Sequence, residues 1–433
     1  MRPEVYANRR RQVMSMAGQD AIVILPSAPL RIRSRDTAYP FRQSSDFFYL
    51  TGYTEPEAVL VLVPGRDQGE ILLFCRDRDP EKERWDGPRA GIDGAREQFG
   101  MDDAFPIDDI DEILPSLLGD RTRVFHTLGQ DPDFDQRLIQ WVNQVRSHVP
   151  RSGTNPGEFI SLDHHLHELR LFKNRDEIQA VARSAKLAAT AHLRAMRACR
   201  PGMMEYELAA ELLHEFHRAN ALPAYEPIVG SGANACIMHY ITNADRIGSD
   251  DLVLIDAGAE LEGYASDITR TFPASGRFTG EQRAIYEIVL AAQTAAIEII
   301  RPGAAWDAPH EAAAQTITEG LCDLGLLHGD PHECYAEEDY REFFPHKTGH
   351  WLGLDVHDVG DYRVDGHSRE LEKGMVFTVE PGVYIPPDAD VDERWRGIGV
   401  RIEDDIAVTA EGCRNLSSDV PRTVDDIERW MAA

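Results

Sequence analysis

The sequence predicts an α+β (mixed α/β) protein of two domains, a smaller α/β domain at residues 1–173 and a larger domain at residues 174–433. Short apolar runs bounded by glycine and proline recur along the chain, as is typical of strands. Longer stretches with apolar residues at helical spacing lie between them, and two of these begin with a capping signal. A chain of 433 residues also exceeds the usual size of a single hydrophobic core.

The composition disfavours several classes of partner. The net charge of −29 disfavours binding to nucleic acid or to an anionic membrane. No segment approaches the run of about 18 apolar residues that crosses a bilayer. The 6 cysteines form no C-x-x-C pair, and scattered single cysteines fit a reducing compartment. We therefore expect a cytoplasmic protein with neither a nucleic-acid nor a membrane partner.

The first domain is predicted from apolar runs and one amphipathic helix. The helix covers residues 134–146, where Leu138, Trp141 and Val145 lie on one face. A segment with proline and glycine at residues 149–155 is interpreted as a linker or loop. The predicted strands cover residues 21–25, 47–49, 58–63, 71–75 and 124–127.

The stretch D-H-H-L-H-E at residues 163–168 has the composition of a metal cluster. No acid-bearing strand follows it, and the next residues, R-L-F-K-N, are ordinary. We therefore interpret it as a structural or interdomain segment.

The second domain begins with a helix start signal. Asn174 and Glu177 match a capping box, and the helix that they open runs to about residue 199. A glycine-rich segment at residues 227–234 lacks the Gly-Lys-Ser/Thr of a phosphate loop. It predicts a tight loop before a strand that carries His239. The remaining predicted elements are helices at 205–220, 279–301 and 308–326, and a loop at 329–334.

Four carboxylates lie at the end of, or within, apolar segments that are predicted to be strands. A carboxylate buried at such a position is costly unless it is paired or bound to a metal ion. Together with nearby histidines, four of them favour a shared site over separate structural ion pairs. The four, each with its predicted strand, are Asp256 (252–255), Asp267 (264–272), Glu380 (374–379) and Glu403 (400–406).

The densest candidate segment is P-H-K-T-G-H-W-L-G-L-D-V-H-D at residues 345–358. It contains His346, His350 and His357, and imidazole suits both proton transfer and metal ligation near neutral pH. Its two glycines disfavour a long helix. We therefore expect loop and extended structure at a functional site.

The charge of the four carboxylates indicates how many metal ions they would hold. Around one divalent ion they leave about two negative charges uncompensated, whereas around two ions they balance. Oxygen ligands with a single imidazole suit Mn²⁺, with Co²⁺ or Zn²⁺ as alternatives set by availability. Two such ions lower the pKa of a shared water and polarise a carbonyl group, so we expect hydrolysis.

Five segments of the second domain match one known pattern. They are G-S-G-A-N-A-C-I-M-H-Y (230–240), the stretch 254–273, the histidine-rich segment 345–358, V-E-P-G (379–382) and G-V-R-I-E-D (399–404). These segments resemble the catalytic domain of the creatinase/methionine-aminopeptidase, or pita-bread, superfamily (peptidase family M24). The similarity is greatest to bacterial Xaa-Pro aminopeptidases, also called aminopeptidase P. It extends to Y-P-F-R-Q-S-S-D-F-F-Y-L-T-G-Y-T-E-P (39–56) and to R-L-F-K (170–173).

The resemblance implies a C-terminal pita-bread metallopeptidase domain and a smaller N-terminal creatinase-like domain. It also implies a metal-binding role for five residues. Asp256 would bind one metal ion, Asp267 and Glu403 would bridge two ions, and His350 and Glu380 would hold the other. Glu380 would also assist proton transfer.

The resemblance further assigns substrate chemistry to residues around the metal ions. His239, His346 and His357 would line the substrate site, and the last two would polarise the scissile region. Arg401 would steady a metal-bound carboxylate through a charge-assisted hydrogen bond. Arg401 is also a candidate substrate-binding residue, and Tyr225 is a candidate for the wall of the pocket.

The implied activity is release of the N-terminal residue from peptides with proline in second position, by attack of a metal-bridging hydroxide. Two alternatives stay open. A prolidase, which takes only Xaa-Pro dipeptides, shares the ligand set, and a non-catalytic peptide-binding or chaperone-like relative would keep the fold. Lys347 stands where this family often has glycine, and it removes no ligand. The family also implies a homodimer or homotetramer.

Overall fold

The computed structural model describes residues 1–148 and 154–432, in two compact units that divide between Leu169 and Arg170. The domain boundary between residues 173 and 174 stays a prediction. The linker predicted at 149–155 includes residues 149–153, which lie outside the described residues. Among the helices that the structure describes, none combines the length and the apolar character needed to cross a membrane.

The first unit is built on a mixed sheet. Its strands are β1 (Ala21–Pro26), β2 (Ile32–Ser34), β3 (Thr37–Ala38), β4 (Val59–Leu62), β5 (Ile71–Cys75), β6 (Asp103–Pro106), β7 (Arg123–Phe125) and β8 (Glu158–Ile160). The sheet order is β6-β5-β4-β1-β7-β8, and β2 and β3 form a separate hairpin. β1 pairs antiparallel with β4 and parallel with β7. Four of the five predicted strands are confirmed as β1, β4, β5 and β7.

Helices cover this sheet and complete its core. They are α1 (Pro3–Ala17), α2 (Ser45–Thr51), α3 (Pro80–Asp86), α4 (Gly91–Glu97), α5 (Ile110–Leu118) and α6 (Pro132–His148), followed by α7 (Asp163–Leu171), which runs across the division between the units. The helix predicted at 134–146 is confirmed as α6. Leu138 and Trp141 of α6 pack with the buried side chains of β1, β4 and β5.

The strand predicted at residues 47–49 is wrong, because these residues lie within α2. Phe47 and Leu50, three residues apart, are fully buried and share one face of the helix. Gly52 ends the helix in the left-handed region with a φ of 66°, and its amide donates to the Phe48 carbonyl. A short apolar run is compatible with either a strand or a buried helix, and these tertiary contacts decide between them.

The D-H-H-L-H-E stretch forms the start of α7. Asp163 and His167, one turn apart, lie near Asp46 of α2, and His167 Nε2 is 3.8 Å from Asp46 Oδ2. The Thr127 hydroxyl donates to Asp163 Oδ1 at 2.5 Å. The ligand atoms of Asp46, Asp163 and His167 lie within 4.8 Å of one another. This spacing fits either an ion pair or a cation site. The structural interpretation of this stretch stays a prediction.

The second unit carries long helices packed against short antiparallel sheets. The helices are α8 (Arg175–Ala198), α9 (Glu205–Arg218), α10 (Gly280–Glu298), α11 (Ala308–Asp323), α12 (Pro331–Ala336) and α13 (Val424–Ala432). The capping boxes predicted at Asn174 and Thr279 are confirmed. The loop predicted at 329–334 is wrong, because the Asp330 side chain accepts from the His332 amide and starts α12.

The strands of the second unit pair mainly as antiparallel neighbours. They are β9 (Leu222–Pro223), β10 (Ile228–Ser231), β11 (Leu252–Asp256), β12 (Ala259–Leu261), β13 (Tyr264–Ala265), β14 (Thr269–Pro273), β15 (Arg363–Val364), β16 (His367–Ser368), β17 (Val376–Val379), β18 (Gly382–Ile385), β19 (Ile398–Arg401), β20 (Asp404–Val408) and β21 (Cys413–Asn415). The sheets run β10-β11-β14, β13-β12-β9, β17-β20-β21, β18-β19 and β15-β16. Buried side chains of these strands and of α8 to α11 form one continuous core.

Two predicted strands are interrupted in the structure. The segment 264–272 divides into β13 and β14 with Asp267 in the break, and the segment 400–406 divides into β19 and β20 with Glu403 in the break. The Asp267 amide donates to the Asp405 carboxylate at 3.2 Å. The Glu403 amide donates to a carbonyl of β14 at 3.1 Å. The predictions of continuous strands are wrong, because these amides bond outside the ladders.

Candidate metal centre

The register of β11 and β14 brings two of the carboxylates together. Asp256, the last residue of β11, pairs with Thr269, the first residue of β14. Asp267 lies two residues before Thr269, in the break after β13. Both carboxylates therefore emerge at the same end of this strand pair.

The register of β17 and β20 does the same for the other two. Val379, the last residue of β17, pairs with Asp404, the first residue of β20. Glu380 directly follows Val379, and Glu403 directly precedes Asp404, so these two carboxylates also lie at one end of a strand pair. The Glu403 amide donates to the Thr269 carbonyl at 3.1 Å, so the two strand pairs are joined at this point.

His350 completes the cluster. The Thr378 amide donates to its carbonyl at 3.0 Å, which holds it beside β17. Its Nδ1 donates to the Trp351 carbonyl at 3.0 Å, so the neutral ring carries its lone pair on Nε2. That nitrogen lies 3.4 Å from Asp267 Oδ2 and 3.7 Å from Glu380 Oε1. An imidazole fixed in this way is oriented for metal ligation.

The electrostatics of the cluster call for a cation. Burial and the charge of Asp256 raise the pKa of Asp267. Burial and the charges of Asp267 and Glu380 raise the pKa of Glu403 well above its usual value. Burial raises the pKa of Glu380 to about 7, although the charge of His350 opposes this. Burial acts to lower the pKa of His350, but its contacts with Asp267 and Glu380 raise that pKa to about 9. The negative charge thus exceeds what the side chains themselves neutralise.

The donor set fits a divalent metal ion. The ligand atoms of Asp267, His350 and Glu403 lie within 4.8 Å of one another, and these residues are largely buried. The donors are carboxylate oxygens with one imidazole nitrogen, a combination that suits divalent ions such as Mn²⁺ or Zn²⁺. Backbone hydrogen bonds hold the residues in place without relying on an ion.

Arg401 is a buried cation of β19 that orients two of the candidate ligands. Its Nη2 lies 2.5 Å from Asp256 Oδ2, and its Nη1 donates to the Tyr384 hydroxyl at 3.0 Å. Its Nε donates to the Thr269 hydroxyl at 3.1 Å, and that hydroxyl donates to Glu403 Oε2 at 2.6 Å. The guanidinium group of Arg401 thus donates to side chains that surround the cluster and holds the carboxylates of Asp256 and Glu403 in place.

Tyr225 contacts the carboxylates directly. Its hydroxyl donates to Asp256 Oδ1 at 2.5 Å and also contacts Asp267 Oδ1. Burial and the charge of Asp256 raise the pKa of Tyr225 well above its usual value, so the hydroxyl keeps its proton. The role of Tyr225 as a wall of the substrate pocket stays a prediction.

Both ring nitrogens of His346 have protein partners. Nδ1 donates to the Lys347 carbonyl at 2.7 Å, and Nε2 accepts from the Tyr384 hydroxyl at 2.8 Å. Burial and the charge of Arg401 lower the pKa of His346 to about 4, so the ring is neutral at pH 7. Tyr384 thereby links His346 to Arg401. A tyrosine within an apolar strand gives no sequence signal for this link.

His357 lies beside His350 and is exposed. The two ring centroids are 4.2 Å apart, with planes at 76°. Burial and the charge of His350 lower the pKa of His357. The expected loop and extended structure of segment 345–358 is confirmed, with an isolated bridge between Trp351 and Phe377.

The strand predicted to carry His239 is wrong. A 3₁₀ helix, Gly232–Cys236, follows β10, and His239 lies exposed in the turn beyond it. Burial chiefly lowers the pKa values of His346 and His357, and the charge of His239 adds to this effect on both.

A buried carboxylate, Glu205, explains why this segment is not a strand. It lies in the first turn of α9 and is fully buried. Glutamate is common in the first turn of a helix, so its residue type alone does not single it out. Its hydrogen bonds hold the 3₁₀ helix and the turn that carries His239. The donors are the amide and hydroxyl of Ser231, the side-chain amide of Asn234, the Tyr240 hydroxyl and the Asp245 amide.

Comparison with known families agrees with this geometry. Residues 179–410 match the metallopeptidase family M24, and residues 6–125 match the aminopeptidase P N-terminal domain. The chain belongs to metallopeptidase family M24. Its predicted fold, a pita-bread domain with a smaller N-terminal domain, is confirmed.

Similar proteins of this family match over nearly their whole length. The chain is 45% identical to the Xaa-Pro aminopeptidase of Escherichia coli strain K12, over 99% of this chain and 97% of the relative. The solved aminopeptidase PepP of Pseudomonas aeruginosa is 55% identical, with a TM-score of 0.99 over 100% of this chain and 98% of that one. A zinc-substituted Escherichia coli aminopeptidase P, solved in complex with product, is 44% identical, with a TM-score of 0.97 over 100% and 98%.

Proposed function

We propose that this M24 metallopeptidase is an Xaa-Pro aminopeptidase, which releases the N-terminal residue from peptides with proline in second position. The observation that carries the proposal is the cluster of carboxylates beside His350 Nε2, where Asp267, Glu380 and Glu403 lie close to that nitrogen and Tyr225 joins Asp256 to Asp267. Its occurrence in a chain that matches Xaa-Pro aminopeptidases from end to end supports the substrate class.

The proposed metal ligands are the five residues of the cluster. Their formal charge balances two divalent ions, and oxygen donors with one imidazole favour Mn²⁺ over softer ions. When bound, such ions would lower the pKa of a water and polarise the scissile carbonyl. In the proposed scheme Asp256 would hold one ion, His350 and Glu380 would hold the other, and Asp267 and Glu403 would contribute to both.

The proposed proton chemistry uses residues of this chain. Glu380, a carboxylate 3.7 Å from His350 Nε2, would accept a proton from the attacking water and return it. The leaving proline nitrogen needs such a proton. His239 and His357 are exposed beside the cluster and would hydrogen-bond the peptide. His346, whose Nε2 accepts from the Tyr384 hydroxyl, would polarise the scissile region of the peptide.

The main alternative is a prolidase, which would use the same ligands on Xaa-Pro dipeptides. The full-length similarity to Xaa-Pro aminopeptidases favours longer peptides as substrates. A non-catalytic relative is disfavoured, because all five ligand positions keep ligating residue types.

The location, the assembly and the domain boundary are parts of the same proposal. Free thiols at all 6 cysteines support a reducing, cytoplasmic location. A homodimer or homotetramer is also part of the proposal, as the family resemblance implies. Light scattering would measure the assembly. The domains are proposed to meet between residues 173 and 174.

A peptide panel with added Mn²⁺ tests the proposed function. We expect release of the first residue from Xaa-Pro-Xaa tripeptides, at a higher kcat/KM than from Xaa-Pro dipeptides. Glu380→Ala should lose at least about 100-fold in kcat/KM, because a ligand and a proton acceptor are removed together. Glu372→Ala, at an exposed glutamate of the same unit, serves as the matched control. A clear preference for the dipeptide would favour prolidase instead.

A further inference from the structure

Two sequence features lie outside the proposed metal chemistry, namely the R-L-F-K motif and the end of the histidine-rich segment. They meet in the second unit at the Asp358 carboxylate. Lys173 Nζ lies 2.8 Å from Asp358 Oδ2, and Arg170 Nη2 lies 2.5 Å from Asp358 Oδ1. Arg170 Nη2 also donates to Asp355 Oδ2 at 2.7 Å. Two cations and two carboxylates therefore balance one another.

Three of the four charged side chains are almost completely removed from solvent, whereas Asp355 is 35% exposed. The side chains of Lys173 and Asp358 are each 1% exposed, and that of Arg170 is 3% exposed. Burial acts to raise the pKa of Asp358, but the charges of Lys173 and Arg170 hold it below its usual value. Removing one partner from such a cluster leaves a buried charge uncompensated, so its geometry is strongly enforced.

The cluster anchors the irregular loop that carries His357. The Asp358 amide donates to the Trp351 carbonyl at 2.8 Å and closes the loop. Gly353 leaves room for the carboxylate, because a Cβ there would lie 2.1 Å from Asp358 Oδ2. His357 is exposed, and its ring lies 4.2 Å from that of His350. Its position is therefore set largely by the buried residue that follows it.

We propose that Asp358, clamped by Lys173 and Arg170, is a positioning residue for His357. The inference rests on the proposed function, because that proposal places His357 at the substrate. Asp358 is buried against the two cations and acts through its neighbour. Loss of Asp358 should then matter little once His357 has been removed.

A double-mutant cycle tests this inference. The wild type, Asp358→Asn, His357→Ala and the double variant are loaded with Mn²⁺ and assayed on an Xaa-Pro-Xaa tripeptide. Asp358→Asn should lower kcat/KM by about 10- to 100-fold, the range expected for a misplaced catalytic group. It should change kcat and KM in the same proportion as His357→Ala does. In the His357→Ala background its effect should be less than about twofold.

One measurement, one control variant and one replacement variant separate a local effect on His357 from a loss of metal binding or of folding. Bound Mn²⁺ per chain should not change in Asp358→Asn. Leu321→Ala, at a buried position of α11 outside the loop sequence, lowers stability and should keep its kcat/KM. If Asp358→Asn does not fold, the charge-balanced pair Asp358→Asn with Lys173→Met replaces it in the cycle.

The outcomes separate this inference from the proposed function. Equal losses in both backgrounds, or an unchanged kcat/KM in Asp358→Asn, would overturn the role of Asp358 while the active wild type upholds the function. A wild type without activity on the tripeptide would overturn both.

Discussion

Replacement of Tyr225 by phenylalanine removes one oxygen atom from the centre of the cluster and keeps the ring. The hydroxyl lies 2.5 Å from Asp256 Oδ1 and contacts Asp267 Oδ1 as well. Both carboxylates are proposed metal ligands. Tyr225→Phe therefore measures how much one hydrogen-bond donor to the proposed ligands contributes to metal affinity.

The size of the effect follows from the geometry. A hydroxyl has one proton, so it serves one carboxylate at a time, and one hydrogen bond is lost rather than two. A hydrogen bond to a charged group contributes about 1.5–3 kcal/mol. Loss of a partner that orients a metal ligand typically weakens metal affinity about 10- to 100-fold, which is consistent with that range. We expect Tyr225→Phe to bind Mn²⁺ about 10- to 100-fold more weakly than the wild type.

Competition with a fluorescent chelator measures this affinity in metal-free protein at pH 7.5. Tyr286→Phe is the matched control, because the Tyr286 hydroxyl donates to the Arg422 carbonyl at 2.8 Å and not to a candidate ligand. The control should keep wild-type affinity. An affinity of Tyr225→Phe within twofold of the wild type would refute the role assigned to the hydroxyl.

Three further predictions concern stability, the His239 turn and metal removal. Burial lowers the pKa of His192 to about 4 from its usual 6.5. The unfolded protein therefore binds a proton at this histidine more tightly than the folded protein does. The free energy of unfolding should fall by up to about 3 kcal/mol as the pH drops from 6.5 to 4. Urea unfolding of the wild type and of His192→Gln would show this, and an equal pH dependence of the two would contradict it. Glu205→Gln should lower both the melting temperature and kcat/KM, with a stability loss of about 1–3 kcal/mol from unsatisfied buried donors, whereas the exposed Glu207→Gln should not. Mn²⁺ at 100 times its Kd should stabilise the metal-free protein by about 2.7 kcal/mol in thermal unfolding, and no shift would argue against a site in the folded state.

Local sequence signals were sufficient where neighbouring residues fix an element. The capping boxes at Asn174 and Thr279 set helix starts that the structure confirms. The run that ends at Asp256 predicted β11, because five consecutive buried residues need no distant partner to be recognised. β11 also places Asp256 at the end of a buried strand.

Long-range contacts decided what the sequence could not show. The breaks at Asp267 and Glu403 arise because their amides bond to residues on other segments, and no alternation of residue types records this. The turn that carries His239 depends on Glu205, and the link between His346 and Arg401 depends on Tyr384. These partners are distant in the chain and ordinary in type.

Titration of the metal-free protein with Mn²⁺, with release of the first residue from an Xaa-Pro-Xaa tripeptide followed at each step, tests the central claim most directly. If the four carboxylates and one imidazole hold two divalent ions, activity should rise with added metal. It should level off at about two equivalents of metal per chain. Activity that is complete before any metal is added, or no release of the first residue at any metal concentration, would contradict the account.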